Sequence, residues 1–222
     1  MPLQLPKPAI YLITSGQTTV ETEPASKEFS QILQLAEAAV AARVDLLQLR
    51  EKNLSASVLY QLARQVAELA QGSGTRVFIN DRADIARAAG ADGVHLTTTS
   101  LAASVIRNAF GDEFLVGVST HSLEEACAAR QQGADFVVFG PVFETASKLA
   151  YGEPLGIERL RQVAARLSSF PVLALGGVRI KHVADCFRAG ASGIAAIRLL
   201  NDPASLAGVV AEIQATFAKR GK

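Results

Sequence analysis

Gln132-Gly-Ala-Asp-Phe136 decides the fold, because the same phrase occurs as Ala89-Gly-Ala-Asp-Gly93 and again as Ala189-Gly-Ala-Ser-Gly193. Each copy closes a helix on glycine, the residue that enters a left-handed cap without strain, and turns into a strand two residues later. Working outward from these turns, short apolar runs alternate with longer amphipathic segments along the chain. Strands are expected at 9–14, 45–50, 76–80, 92–96, 114–118, 135–139, 171–175 and 192–197. Helices are expected from 27, 55 and 82 and from near 100, 122, 156, 180 and 203, with Ser55 as an N-cap and Gly72 and Gly74 as stop signals. One βα unit repeated at short spacing, with no Asn-Gly hairpin, predicts parallel strands joined by right-handed crossovers. The predicted fold is α/β, a (β/α)8 TIM barrel, with an open doubly wound sheet as the alternative.

The length of 222 residues, 49% of them hydrophobic, suits one such domain spanning 1–222, with a short N-terminal extension over 1–8. No apolar run approaches a membrane span, and the proline-rich start does not read as a signal peptide, so a cytoplasmic protein is expected. Cys127 and Cys186 stand in no metal-binding or CxxC pattern and read as reduced structural thiols. With a net charge of +1, no tryptophan and three tyrosines, no global field or stacking platform draws in nucleic acid. Anion binding must come from local arrangement.

In a parallel barrel the chemistry lies at the C-terminal strand ends. There the chain offers Gln48-Leu-Arg-Glu-Lys52, in which Gln48 and Arg50 share a face by alternation. An inward arginine either meets an anionic ligand or pairs with a nearby carboxylate. Asn80-Asp81-Arg82 brings together an amide, a carboxylate and a guanidinium; Asp81 reads as a Mg²⁺ ligand, an N-cap, or both. His95 reads as a hydrogen-bonding group facing a ring. Ser119 and His121 precede Ser122-Leu-Glu-Glu125, a capping box whose helix N-terminus favours an anion, and His121 either moves a proton or only bonds its neighbours. Gly140 to Lys148 leaves strand six with Thr145, Ser147 and Lys148, a grip suited to phosphate. Gly176 and Gly177 let backbone amides approach a ligand, and Arg198 ends strand eight. Arg50, Lys52, Arg82, Lys148 and Arg198 thus gather at one rim of a nearly neutral chain, which predicts a substrate or substrates with more than one phosphate. A Schiff-base aldolase on Lys148 fits less well, since a lysine in a loop lacks a desolvated setting.

Gln48-Leu-Arg-Glu-Lys52, Ile79-Asn-Asp-Arg82, Gly93-Val-His-Leu96, Gly117-Val-Ser-Thr-His121, Gly140-Pro-Val-Phe-Glu-Thr-Ala-Ser-Lys148 and Leu175-Gly-Gly-Val178 resemble, in order, the signatures of thiamin-phosphate synthases and the related thiazole tautomerases. The resemblance implies a (β/α)8 enzyme joining 4-amino-2-methyl-5-pyrimidinylmethyl diphosphate to a thiazole phosphate with release of diphosphate. In these synthases a pyrimidine carbocation is captured by the thiazole nitrogen. By the same resemblance Arg50, Lys52, Asn80, Ser119 and Lys148 bind diphosphate, and Asp81 ligates Mg²⁺. Gln48 and His95 face the pyrimidine; Thr145, Ser147 and Gly177 hold the thiazole phosphate.

Two positions depart from the synthase pattern. Ser100 stands where a second aspartate ligand of Mg²⁺ is usual, and Arg198-Leu199 replace Ser-Ala at the strand-eight phosphate cradle. Both departures, with His121 at the position of a proton-moving histidine, favour the tautomerase branch, while the retained diphosphate residues favour the synthase. A non-catalytic phosphate-ligand-binding relative is the alternative from another class. The partners implied are small phosphorylated molecules, with neither nucleic acid nor membrane, and a homodimer is among the assemblies allowed.

Overall fold

The structure is a computed structural model and describes residues 5–145 and 153–219. Strands β1 (Ala9–Ile13), β2 (Leu46–Leu49), β3 (Arg76–Asn80), β4 (Gly93–Leu96), β5 (Leu115–Thr120), β6 (Phe136–Phe139), β7 (Val172–Ala174) and β8 (Gly193–Ala196) close into one barrel in chain order. All neighbouring pairs are parallel, β8 pairing back onto β1. Helices α1 (Lys27–Ala41), α2 (Ala56–Ala70), α3 (Ala83–Ala89), α4 (Ala103–Phe110), α5 (Leu123–Gln131), α6 (Gly156–Arg166), α7 (Ile180–Arg188) and α8 (Leu206–Ala218) alternate with the strands. The closed barrel is thus observed, and the open sheet is not. No helix among the described residues is long and apolar enough to cross a membrane.

Both faces of the sheet are covered, which is why the strands read as continuous apolar runs. Ile10, Leu12, Leu47, Val77, Val94 and Val137 pack outward against the helices. Tyr11, Leu46, Phe78, Phe136, Val138 and Leu173 fill the interior. There Tyr11, Phe78 and Phe136 meet edge to face with centroids 5.4 to 5.8 Å apart, the arrangement the ring quadrupoles favour. Gly117 makes the room: a Cβ there would lie 2.4 Å from Phe136 Cζ and 2.8 Å from His95 Nδ1.

The repeated turn has a defined physical content. Gly90, Gly133 and Gly190 have φ of +74°, +89° and +101°. The next residue's N–H returns to the helix, from Ala91 to Ala86, Ala134 to Ala129 and Ala191 to Cys186. Asp92 and Asp135 then accept the N–H of Val77 and Val116 on the preceding strand, at 2.8 and 2.7 Å. A fourth copy precedes β2: Arg43 has φ of 58°, Val44 N–H reaches Ala39, and Asp45 accepts from Ile10 at 2.8 Å. The carboxylate version of the device therefore enters β2, β4 and β6, while β8 is entered by the same glycine cap followed by Ser192. Arg107 strengthens one copy by donating to the carbonyls of Gly111, Asp112, Phe114 and Gly133 and to the Asp135 carboxylate.

Several helix starts differ from expectation. Helix α4 begins at Ala103, because Ser100 Oγ accepts from Thr97 N–H at 2.7 Å and so closes a turn instead of a cap. Helix α8 begins at Leu206, after a turn in which Asp202 accepts from Ala204 N–H and Ser205 Oγ. Asp81 has φ of 59°, so α3 starts at Ala83 with Arg82 before it.

Arg43 pays a left-handed penalty that its three glycine counterparts avoid. Arg43→Gly is expected to raise stability by about 0.5–1 kcal/mol, the strain relieved exceeding the added backbone entropy. Urea unfolding would show a higher midpoint at unchanged slope; a lower midpoint would contradict this account of the turn.

Candidate active site

A row of polar side chains crosses the C-terminal ends of β2, β3 and β4. Gln48, 1% exposed, donates from Nε2 to Asn80 Oδ1 at 3.0 Å. Asn80 Nδ2 donates to Asp81 Oδ2 at 2.7 Å, and Ser100 Oγ donates to Asp81 Oδ1. Asp81 is therefore not the N-cap of α3: its left-handed backbone turns the carboxylate back onto Asn80 and Ser100. Gln48 Oε1 is buried without a partner among the described residues. Leaving such an acceptor unpaired costs free energy, so the position suits a donor from a ligand.

Arg50 follows β2, its N–H donating to Thr14 Oγ1 at 2.8 Å. Arg50 forms no ion pair among the described residues, so no carboxylate braces it there. The adjacent Glu51 is buried and turned the other way, accepting from Gly16 N–H at 3.1 Å and from Thr18 N–H and Oγ1 at 3.3 and 2.7 Å. Glu51 thus fastens the β1α1 loop beside Arg50, whose Nη1 would lie 3.3 Å from a Cβ at Gly16. Lys52 is exposed. Arg82, counted by sequence among the rim cations, forks onto Asp84 instead, Nε at 2.9 Å and Nη2 at 2.6 Å. That contact raises the guanidinium pKa and lowers that of Asp84, a local pair in place of a ligand site.

His95 is 2% exposed, with Nε2 2.9 Å from Ser119 Oγ and Nδ1 3.2 Å from Tyr11 Oη. The imidazole lies beneath Ser119 within the aromatic cluster, 5.6 Å from the Tyr11 ring and 6.1 Å from Phe136. Burial lowers its pKa to about 4, the field of Asp81 opposing, so it is neutral at pH 7. His121 is half-buried at the end of β5. Its Nδ1 donates to the Gly140 carbonyl, which can only accept, leaving Nε2 as the basic nitrogen. Ser122 Oγ accepts from Glu125 N–H as a capping box requires, while the Glu125 carboxylate reaches His121 N–H, one residue early.

The loops after β6, β7 and β8 meet. Val142 and Phe143 N–H donate to the Leu175 and Gly176 carbonyls at 2.8 and 2.9 Å. A Cβ on Gly176 would lie 2.5 Å from Pro141 Cα, and one on Gly177 2.3 Å from the Glu144 carbonyl oxygen. The paired glycines thus admit the neighbouring loop rather than only a ligand. Phe143 stacks on His182 at 4.1 Å, and Arg198 Nη2 donates to Thr145 Oγ1 at 3.0 Å, bringing two sequence-selected residues together across the rim. Ser147 and Lys148 lie outside the described residues.

Sequence reasoning missed Tyr11 and Glu51. A tyrosine on the inward face of β1, alternating with Ala9 and Ile13, was the available signal for the first. Nothing in the local pattern marked Glu51 as buried. Among the described residues no three His, Cys, Asp or Glu side chains cluster as a metal site. Asp81 with Ser100 nevertheless fits Mg²⁺, which takes oxygen donors and commonly binds through one or two carboxylates together with substrate phosphates.

A family model described as thiamine monophosphate synthase matches residues 10–200. A thiamine-phosphate synthase of Moorella thermoacetica is 36% identical over 191 residues, covering 86% of this chain and 90% of that one. One of Anaeromyxobacter dehalogenans is 40% identical over 182 residues, covering 82% and 81%. The solved structure of a thiamine phosphate pyrophosphorylase from Pyrococcus furiosus matches with a TM-score of 0.77 at 25% identity, over 96% of both chains.

Because His95 has a lower pKa folded than its ordinary 6.5, the unfolded chain takes up a proton first as pH falls. This group's contribution is full above pH 6.5 and is lost toward pH 4. Between pH 7 and pH 5 it should remove about 2 kcal/mol of stability. A His95→Gln variant should lose correspondingly less over that interval in denaturant titrations; an identical loss would show that His95 does not titrate as its burial requires.

Proposed function

The chain belongs to the thiamine monophosphate synthase family, and on that premise we propose that it is a thiamin-phosphate synthase. It is a transferase that joins 4-amino-2-methyl-5-pyrimidinylmethyl diphosphate to a thiazole phosphate. The observation that carries the reading is an oxygen seat for a hard cation, Asp81 with Ser100, at the same rim as an arginine, Arg50, with no ion pair among the described residues. A diphosphate–Mg²⁺ pair is the ligand that uses both.

The ester C–O bond breaks with its electrons passing to the diphosphate oxygen, and the thiazole nitrogen lone pair forms the new C–N bond. Arg50, Lys52, Ser119 and Lys148 hold the departing anion, together with the Asn80 amide hydrogen not used on Asp81. Mg²⁺, when bound by Asp81 and Ser100, neutralises charge on that leaving group. These preorganised charges stabilise the separated ions in a site of low dielectric. Gln48 Oε1, the orphan acceptor, takes a hydrogen from the pyrimidine amino group, while His95 supports the ring from below through Ser119. Thr145, Ser147, Gly176, Gly177 and Arg198 hold the thiazole phosphate. Arg198 donates one Nη2 hydrogen to Thr145 Oγ1, and a planar guanidinium carries further N–H donors suited to bidentate phosphate binding. Two unpaired thiols, Cys127 and Cys186, fit a reducing compartment, and a cytoplasmic location belongs to the same proposal.

A second reading, thiazole tautomerase, is favoured by one observation. His121 is held by Gly140 in the tautomer that leaves Nε2 free to take a proton. The two activities separate in an assay with the pyrimidine diphosphate and thiazole phosphate, with Mg²⁺ and with chelator. For the synthase, Asp81→Ala and Lys148→Ala each lower turnover by ~10²-fold or more, the scale of removing an electrostatic partner. His121→Ala then stays within a few-fold of wild type. Loss confined to His121→Ala, with a thiazole carboxylate phosphate as substrate, would establish the tautomerase instead. Ligand affinity without product from either substrate set would mark a non-catalytic relative.

A further inference from the structure

Tyr11, His95 and Ser119 form one hydrogen-bonded line from the barrel interior to the rim. Tyr11 is fully buried, His95 is 2% exposed, and Ser119 is half-buried at the open end. We infer that Tyr11 is a positioning residue: it fixes His95 in the Nε2–H tautomer, so that Ser119 accepts from the imidazole and aims its own hydroxyl hydrogen at the bound anion. The inference rests on the synthase reading only for the identity of that anion, a diphosphate.

The number of hydrogens on the three groups selects the tautomer. Tyr11 is 0% and His95 2% exposed, and a site closed to water disfavours charge on either, so the phenol keeps its proton and the imidazole carries a single N–H. Two arrangements satisfy the observed distances. In the first, Tyr11 O–H donates to Nδ1, Nε2–H donates to Ser119 Oγ, and the serine hydrogen points away from the relay. In the second, Nδ1–H donates to Tyr11, Ser119 donates to Nε2, and the phenol hydrogen faces the surrounding rings. Those rings are Phe78 and Phe136, at 5.8 and 5.6 Å, and offer no oxygen or nitrogen acceptor. A buried hydroxyl hydrogen without an acceptor carries the full cost of its desolvation, which selects the first arrangement.

Three consequences follow for the chemistry. Ser119 is a donor to an anion and not a nucleophile, because the nitrogen beside it already carries a proton. His95 is not a general base toward Ser119. Finally, a phenol buried beneath the rim determines which hydrogen-bond role the site offers its ligand.

The test reads the tautomer directly, through ¹⁵N spectra of histidine-labelled wild-type protein at neutral pH, without any variant or assay. The expected result is a protonated Nε2 and an unprotonated Nδ1 for His95. In Tyr11→Phe, which preserves the ring packing, the two tautomers mix and the ¹⁵N signals move accordingly. Affinity for inorganic diphosphate then falls several-fold in Tyr11→Phe, short of the roughly tenfold loss in Ser119→Ala expected for one hydrogen bond to a charged group. Adding Tyr11→Phe to Ser119→Ala costs nothing further, an outcome a merely structural tyrosine would not produce. A protonated Nδ1 in wild type, unmoved signals in Tyr11→Phe, or equal losses in both backgrounds would overturn the inference. Failure of wild type to bind diphosphate would count against the functional reading alone, since the spectra still decide the relay.

Discussion

The volume inside the barrel is the constraint on which the rest depends. Eight short parallel strands leave an interior that side chains must fill without voids, and here Tyr11, Phe78 and Phe136 fill it edge to face. That packing is possible because Gly117 has no side chain, so Phe136 and His95 occupy the space a Cβ would need. The histidine is thereby held beneath Ser119, and its neutrality follows from the same burial. Core and site are accordingly continuous: the rings that close the barrel also set the polarity of what lies above them.

Much of the fold was legible because one physical device is repeated. A left-handed helix cap followed by a carboxylate that captures the previous strand's N–H appears in the sequence as Gly-Ala-Asp, and the pattern reports strand order and direction together. Its fourth copy was hidden because Arg43 occupies the glycine slot, which backbone geometry reveals and residue type does not. Helix starts after β3, β4 and β8 were misread by one to three residues for a shared reason. Asp81, Ser100 and Asp202 have the composition of caps but spend their side chains on turns and on each other.

For the site, strand-end location placed Gln48, Arg50, Asn80, Asp81, His95, Ser119 and Arg198 at one rim, which follows from alternation and barrel topology alone. What alternation does not report is which partners the side chains choose. Arg82 was counted as a rim cation and instead pairs with Asp84. Gly176 and Gly177 were read for ligand approach alone, and the missing side chains also make way for Pro141 and Glu144. Ser100, which departs from the expected aspartate, still meets Asp81, so the substitution changes the charge of the seat while keeping an oxygen there. On the proposed reading, that difference would weaken Mg²⁺ affinity in the free protein and make binding depend more on a phosphorylated ligand.

On the proposed reading, this rim binds diphosphate and Mg²⁺ together. Calorimetric titration of the wild-type protein with inorganic diphosphate, with Mg²⁺ and with chelator, tests it most directly. The account predicts saturable binding that is markedly tighter with Mg²⁺, and a Mg²⁺ affinity that is weak until diphosphate is present. Absence of binding at millimolar diphosphate under both conditions would contradict it.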